Sequence, residues 1–257
     1  MTSGDWNAGE LMSIVAARQL RDGMVCFVGI GLPSEAANLA RLTHAPGCVL
    51  VYESGTIGSR PDVLPLSIGD GILADTAVSV IGVPEIFGYW LQAGRIDVGF
   101  LTAAQIDRFG NLNTTVVGEY DTPTVRLPGA GGAPEIATSS GEIFVTMRHT
   151  RRSFVESLDF VTSLGHGRDG RTRSRWGIVG RGPTIVITDL CVMRPDPETM
   201  ELTVIDLHPG VSAEDVVEAT GWQVRFADRT GVTEAPTVDE LSVLRRLRAR
   251  TSEAHSV

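Results

Sequence analysis

The chain has 257 residues, 42% hydrophobic and 21% charged, enough apolar material for one large α/β domain or two small ones. Its 22 basic and 31 acidic residues leave a net charge of −9, which argues against a nucleic-acid partner or an anionic membrane. Every basic residue other than His is Arg, and the lack of lysine excludes Schiff-base chemistry, a Walker lysine and a kinase-type lysine.

Met1-Thr2-Ser3-Gly4-Asp5 carries no basic or apolar signal region, and no apolar run approaches the roughly 20 residues of a membrane span, so a cytoplasmic protein is expected. The pattern then predicts a helix over about 7–21, with Leu11, Ile14 and Val15 on one face and Asp22-Gly23 as its stop. Met24 to Val28 reads as a buried strand, Gly29-Ile30-Gly31-Leu32-Pro33 as a tight loop, and Ser34 as the N-cap of the next helix. Gly29-x-Gly31 lacks the third glycine of a dinucleotide fingerprint. Val49 to Tyr52 is the next strand, followed by strands at Ile96–Leu101, Thr124–Leu127, Ile143–Met147, Thr184–Thr188 and Leu202–Leu207. Ser212 to Thr220 is a short helix, and Thr237-x-x-Glu240 is a capping box that opens a last helix through about Arg250. Gly165 to Arg181, with five arginines among its glycines, reads either as a lid or anion contact or as a mobile solvated loop. The three cysteines, Cys26, Cys48 and Cys191, form no metal pattern and read as buried thiols.

Chemistry concentrates in three stretches. Tyr52-Glu53-Ser54-Gly55-Thr56-Ile57-Gly58 puts a carboxylate on a glycine-rich turn directly after an apolar strand, where a ligand can approach the backbone, although a capping or solvated Glu has the same local pattern. Arg126-Leu127-Pro128-Gly129-Ala130-Gly131-Gly132-Ala133-Pro134-Glu135 exposes consecutive backbone N–H groups, a pattern suited to an oxyanion hole. Ala104 to Asn113 is a polar turn in which Gln105 and Asn113 offer amides and Asp107 and Arg108 could pair; its bland reading is a satisfied hairpin. The five histidines lack ligand spacing, and no G-x-S-x-G elbow is present.

Four stretches in this order resemble the class I CoA-transferases, specifically the β subunit of the glutaconate and 3-oxoadipate type: Tyr52 to Gly58, Ala104 to Asn111, Leu127 to Glu135, and Leu207-His208-Pro209-Gly210. Arg21 to Ser34 and Asp62 to Gly71 look like the 3-oxoadipate subgroup. The resemblance implies an α/β CoA-transferase fold, one domain over 1–257 with an open, mostly parallel or mixed sheet flanked by helices; 165–181 is expected as a mobile Arg/Gly-rich loop and 251–257 as a disordered tail. It implies Glu53 as the nucleophile that forms a glutamyl-CoA thioester, with Gly129, Ala130, Gly131 and Gly132 at the thioester oxyanion. Ser54, Gly55 and Gln105 are candidate substrate contacts, and Arg126, beside the glycine loop, is either a carboxylate clamp or a surface arginine. Ser54 stands where many ketoacid-branch relatives have Asn, which fits the glutaconate-like branch better.

The implied reaction moves CoA from succinyl-CoA to 3-oxoadipate. Another dicarboxylate such as glutaconate, a CoA-ester or ring-opening hydrolase, and a non-catalytic scaffold are the alternatives. The CoA thioester is then a substrate, no metal or other cofactor is expected, and a separate α subunit completes an α2β2 or larger assembly.

Overall fold

The computed structural model describes residues 6–255. It has an α/β fold of open, mixed sheet flanked by helices, and its residues gather into two compact units, a division not made from the sequence: those up to Phe100 with those from Ala235 onward, and Leu101–Glu234.

In the first unit, the strand Val25–Phe27 lies between two parallel neighbours, pairing Val25 with Val49 and Cys26 with Val98. All three strands are rich in buried apolar residues, as parallel strands covered by helices must be. Beyond Val49–Val51 the order continues antiparallel through Thr56–Ile57 to Ser79–Val80 at the edge. The predicted first helix spans Ala8–Arg18 and opens with a reciprocal Asn7–Glu10 capping box that the sequence reading did not note. The second helix, Leu32–Leu42, starts two residues before the expected cap: Pro33 presets its first turn, Gly31 is the N-cap, and Ser34 lies buried inside, its Oγ 3.1 Å from the Tyr52 hydroxyl.

The Thr237 capping box is present, and its helix, Val238–Ala254, runs past the expected end. That corrects the tail expectation for 251–254, where Thr251 Oγ1 accepts the Leu64 N–H at 2.9 Å; 256–257 lie outside the described residues. Arginines tie the helices to one another. Arg245 meets the buried Glu10, Arg248 grips Glu35 in a bidentate pair at 3.0 and 2.6 Å, and Arg18 grips Glu240 at 2.7 Å through both nitrogens.

The second unit is built on Glu142–Thr146, parallel to Pro183–Ile187, followed by antiparallel Cys191–Pro195 and Leu202–Leu207 and then Arg225–Val232 parallel to the last. Its core holds Ile143, Val145, Ile185, Ile187, Met193 and Val204. The expected strand at Thr124–Leu127 is Pro123–Arg126, paired with Val116–Gly118 in a separate exposed hairpin. Gln105–Ile106 and Leu112–Asn113 form a second hairpin. Cys26, Cys48 and Cys191 are free buried thiols. Among the described residues no helix is long and apolar enough to cross a membrane.

Candidate active site

Glu53 sits at the carboxyl end of a parallel strand, where open α/β sheets place their ligands. The chain reverses there: the Gly55 N–H donates to the Tyr52 carbonyl at 3.0 Å and the Tyr52 N–H to the Thr56 carbonyl at 3.0 Å, which leaves Glu53 and Ser54 at the tip. Gly55 is obligatory, with φ 107° and the Ile81 carbonyl oxygen packed where a Cβ would stand. Tyr52 anchors the base of the turn, fully buried, and burial pushes its phenol above the usual range. On this fixed support the half-buried Glu53 carboxylate makes no hydrogen bond or ion pair with any described residue. Beside it, Ser54 Oγ and Thr56 Oγ1 are buried with no partner among the described residues. A buried unpaired hydroxyl costs about 1–3 kcal/mol, so this turn carries unmet hydrogen-bonding capacity.

The glycine loop of the second unit is built differently and ends in the same condition. Thr114 pins its start by accepting the Gly129 N–H at 2.9 Å and donating its hydroxyl to the Gly129 carbonyl at 2.8 Å. Gly129 at φ 102° and Gly131 at φ 49° then turn the backbone through conformations that other residues rarely adopt, with nothing within 4 Å of where a Cβ would stand. Consequently the N–H groups of Ala130, Gly131 and Gly132 take no partner among the described residues, whereas that of Gly129 is committed.

Gln105 is placed otherwise than a substrate contact requires. It is buried, donates to Asp159 Oδ2 at 2.8 Å, and accepts from Asn113 Nδ2 at 2.7 Å. Asp107 does not hydrogen-bond Arg108; it accepts the Phe109 and Asn111 N–H groups and the Asn111 amide, while Arg108 reaches Glu156 at 3.3 Å. This stretch is the satisfied hairpin of the bland reading. Arg126 lies on the exposed hairpin, its guanidinium 5.0 Å over the Tyr120 ring and donating to the Tyr120 carbonyl at 2.8 Å.

The segment expected as a mobile loop is folded around Arg173, which sequence reading had counted among solvated arginines. Its buried guanidinium donates to four carbonyls, of Gly180, Leu164, Gly165 and Ala137, and desolvation lowers its pKa to about 10, so it stays charged at neutral pH. Arg168, Arg175 and Trp176 of this segment line a cavity of about 1090 Å³ together with Arg108 and Glu156; no predicted site residue lines it. His149, His166 and His208 are buried with pKa values lowered chiefly by desolvation, His149 to about 4. Their ring nitrogens meet Thr188 and Thr220, Pro183, and Thr233 and Thr188.

The strand-end carboxylate and the open loop amides are each of a kind that acyl transfer uses, and residues 10–219 match the coenzyme A transferase family. The chain belongs to that family. It is 59% identical over 250 residues, 97% of this chain and 96% of the relative, to the β subunit of 3-oxoadipate CoA-transferase of Pseudomonas knackmussii. It is 35% identical over 243 residues, 92% of this chain and 90% of the relative, to the β subunit of glutaconate CoA-transferase of Acidaminococcus fermentans. The crystal structure of glutaconate CoA-transferase from that organism superposes with a TM-score of 0.88 at 32% identity, covering 94% of both chains.

Proposed function

We propose that this chain is the β subunit of an enzyme that moves CoA from succinyl-CoA to 3-oxoadipate, working with a separate α subunit, and that Glu53 carries the acyl group and then CoA. The observation that supports it most is a contrast at the turn: the Glu10, Glu35 and Glu240 carboxylates of the first unit are each paired with arginine, and the Glu53 carboxylate has no partner among the described residues. An unpaired carboxylate on a rigid tip is a competent nucleophile. The 59% identity to a 3-oxoadipate CoA-transferase subunit supports the substrate.

In the proposed sequence a Glu53 oxygen attacks the thioester carbonyl of succinyl-CoA, and the C–S bond breaks to give a succinyl-glutamyl anhydride and CoA thiolate. The thiolate attacks the glutamyl carbonyl, succinate leaves, and Glu53 holds CoA as a thioester. A 3-oxoadipate carboxylate then displaces the thiolate to form a second anhydride, whose acyl carbonyl takes the thiolate back and frees the Glu53 carboxylate. Thioester and anhydride exchange acyl groups without ATP or a metal, and the requirement left to the protein is exclusion of water from both intermediates. The open N–H groups of Ala130, Gly131 and Gly132 suit the anionic oxygen that each attack creates; loss of one such donor costs about 3 kcal/mol in other enzymes.

The test is to purify the complex with its α subunit, add succinyl-CoA without acceptor, reduce with borohydride and map the modified peptide by mass spectrometry. Reduction of a thioester to an alcohol at Glu53 is expected. An unmodified Glu53 in a complex that still consumes succinyl-CoA would move the assignment to hydrolysis. Turnover with glutaconate in place of 3-oxoadipate would reassign the acceptor alone.

A further inference from the structure

Of the eight large hydrophobic side chains exposed among the described residues of the first unit, six fall between residues 66 and 89: Leu66, Ile68, Val78, Val80, Val83 and Tyr89. Scattered exposed apolar residues need no explanation, but a concentration of this kind marks an interaction surface. Within this segment lies the strand Ser79–Val80, last in the unit's strand order, with Val78, Ser79 and Val80 all exposed. Edge strands of proteins that stay alone are protected by short length, charge, proline or a covering element, and this one has only its length of two residues from the strand itself. Here the run from Thr76 to Val83 is uncharged and carries no proline.

The surroundings indicate what covers it. Between Arg60 and Arg95 the chain has no basic residue, while Asp62, Asp75 and Glu85 are exposed and Asp70 is half-buried. Two copies meeting through this face would set acidic rims against each other, in a chain that already carries a net charge of −9. The complementary occupant is a different chain, apolar at the centre of its contact and basic at the rim.

The edge is also tied to the catalytic turn. The Ile81 N–H donates to the Gly55 carbonyl and the Val78 N–H to the Ile57 carbonyl, both at 2.9 Å, so a body docked on the edge braces the backbone that holds Glu53.

We propose that the 66–89 face is the docking surface for the α subunit, and that docking there both fixes the Glu53 turn and shields it from water. This rests on the reading of the chain as a β subunit. The experiment co-expresses a tagged α subunit with the wild-type chain, with a Val78→Glu/Val80→Glu variant and with an Asp75→Asn/Glu85→Gln variant. Affinity is measured by sedimentation at several salt concentrations, and each chain alone is melted to confirm its fold.

The first variant is expected to melt like wild type and bind the α subunit at least tenfold more weakly. The second leaves the apolar centre intact and is expected to bind severalfold more weakly with a flatter salt dependence; it decides the matter if the first fails to fold. Wild-type affinity in both folded variants would overturn the proposal. So would a dimer of the chain alone that the first variant abolishes while α binding persists. Glu53→Gln separates the two readings: it should assemble fully and be inactive, and an active Glu53→Gln complex would remove the transferase mechanism while leaving the docking surface standing.

Discussion

In the first unit three helix carboxylates, Glu10, Glu35 and Glu240, are matched by arginines across packed helices, and the Glu53 carboxylate at the strand-end turn has no such partner among the described residues. In the second unit the polar residues of the Gln105–Asn113 motif, and the most buried of its arginines, are absorbed into hydrogen bonds inside the fold. The Glu53 stretch reads from sequence as a glycine-rich turn after an apolar strand and the Gln105–Asn113 stretch as a polar turn, each with a bland alternative, so residue type alone does not separate chemistry from architecture. The pattern of hydrogen bonds does: the Gln105 side chain has its partners, and the side chains of Glu53, Ser54 and Thr56 have none among the described residues.

The sharpest way to break this contrast is to exchange the two kinds of residue experimentally. Glu53→Gln should leave the melting temperature unchanged, because no described interaction is lost, and should lower kcat by at least about 10³-fold, as removal of a covalent nucleophile does. Steady-state kinetics of the α-complexed variant against its thermal melt reads both. A large fall in stability with kinetics intact would make Glu53 an architectural residue and erase the difference between the units.

Arg173 is the converse case. Arg173→Met keeps the side-chain volume but leaves four carbonyls without a donor, and the second unit should lose on the order of 4 kcal/mol. Urea unfolding measures the loss, and limited proteolysis should cut first within 165–181. Unchanged stability would return that segment to the solvated loop its composition suggests.

What the sequence disclosed and what it hid follow from the range of the interactions concerned. The strand Leu202–Leu207 and the Thr237–Glu240 box were legible because alternation and a cap are set within a few residues. The Glu53 turn was legible because strand, carboxylate and glycine are contiguous. Arg173 was not, because its partner carbonyl at Ala137 lies 36 residues away and its neighbours at two residues on either side are themselves arginines. The hydrogen bond that takes up the Gln105 amide was not legible either, because Asp159 lies 54 residues away. The division into two units was hidden too, since one of them is assembled from both ends of the chain.

Acid should separate the units by a smaller margin. All three histidines with depressed pKa values lie in the second unit, and the folded form of His149 takes a proton only near pH 4, against 6.5 in the unfolded chain. Between those values the unfolded chain binds more protons, so the stability of this unit is complete above pH 6.5 and falls as the pH drops toward 4, by at most about 3 kcal/mol from His149. In the first unit Glu10, whose pKa is lowered mainly by the Arg245 hydrogen bond, loses its contribution only as the pH falls below 4.5. Proteolysis at pH 5 is therefore expected to open 101–234 before the flanking segments. Simultaneous cleavage in both would mean that the histidines are not what sets acid sensitivity.

The smallest expected effect is at Arg126, where the comparison is most finely balanced because the residue lies beside the glycine loop yet has partners of its own. Its guanidinium is taken up by the Tyr120 ring and carbonyl on an exposed hairpin, a pairing of about 0.5–1 kcal/mol at such a site. A clamp for a dicarboxylate would give more when occupied, since a charge-assisted pair with a substrate carboxylate exceeds a surface cation–π contact. Arg126→Ala is expected to lower stability by less than about 1 kcal/mol and to leave the KM of both substrates within about threefold, under about 0.7 kcal/mol. A tenfold rise confined to the KM of the dicarboxylate acceptor would show that the arginine leaves Tyr120 during the reaction, and would place a substrate contact on the exposed hairpin of the second unit.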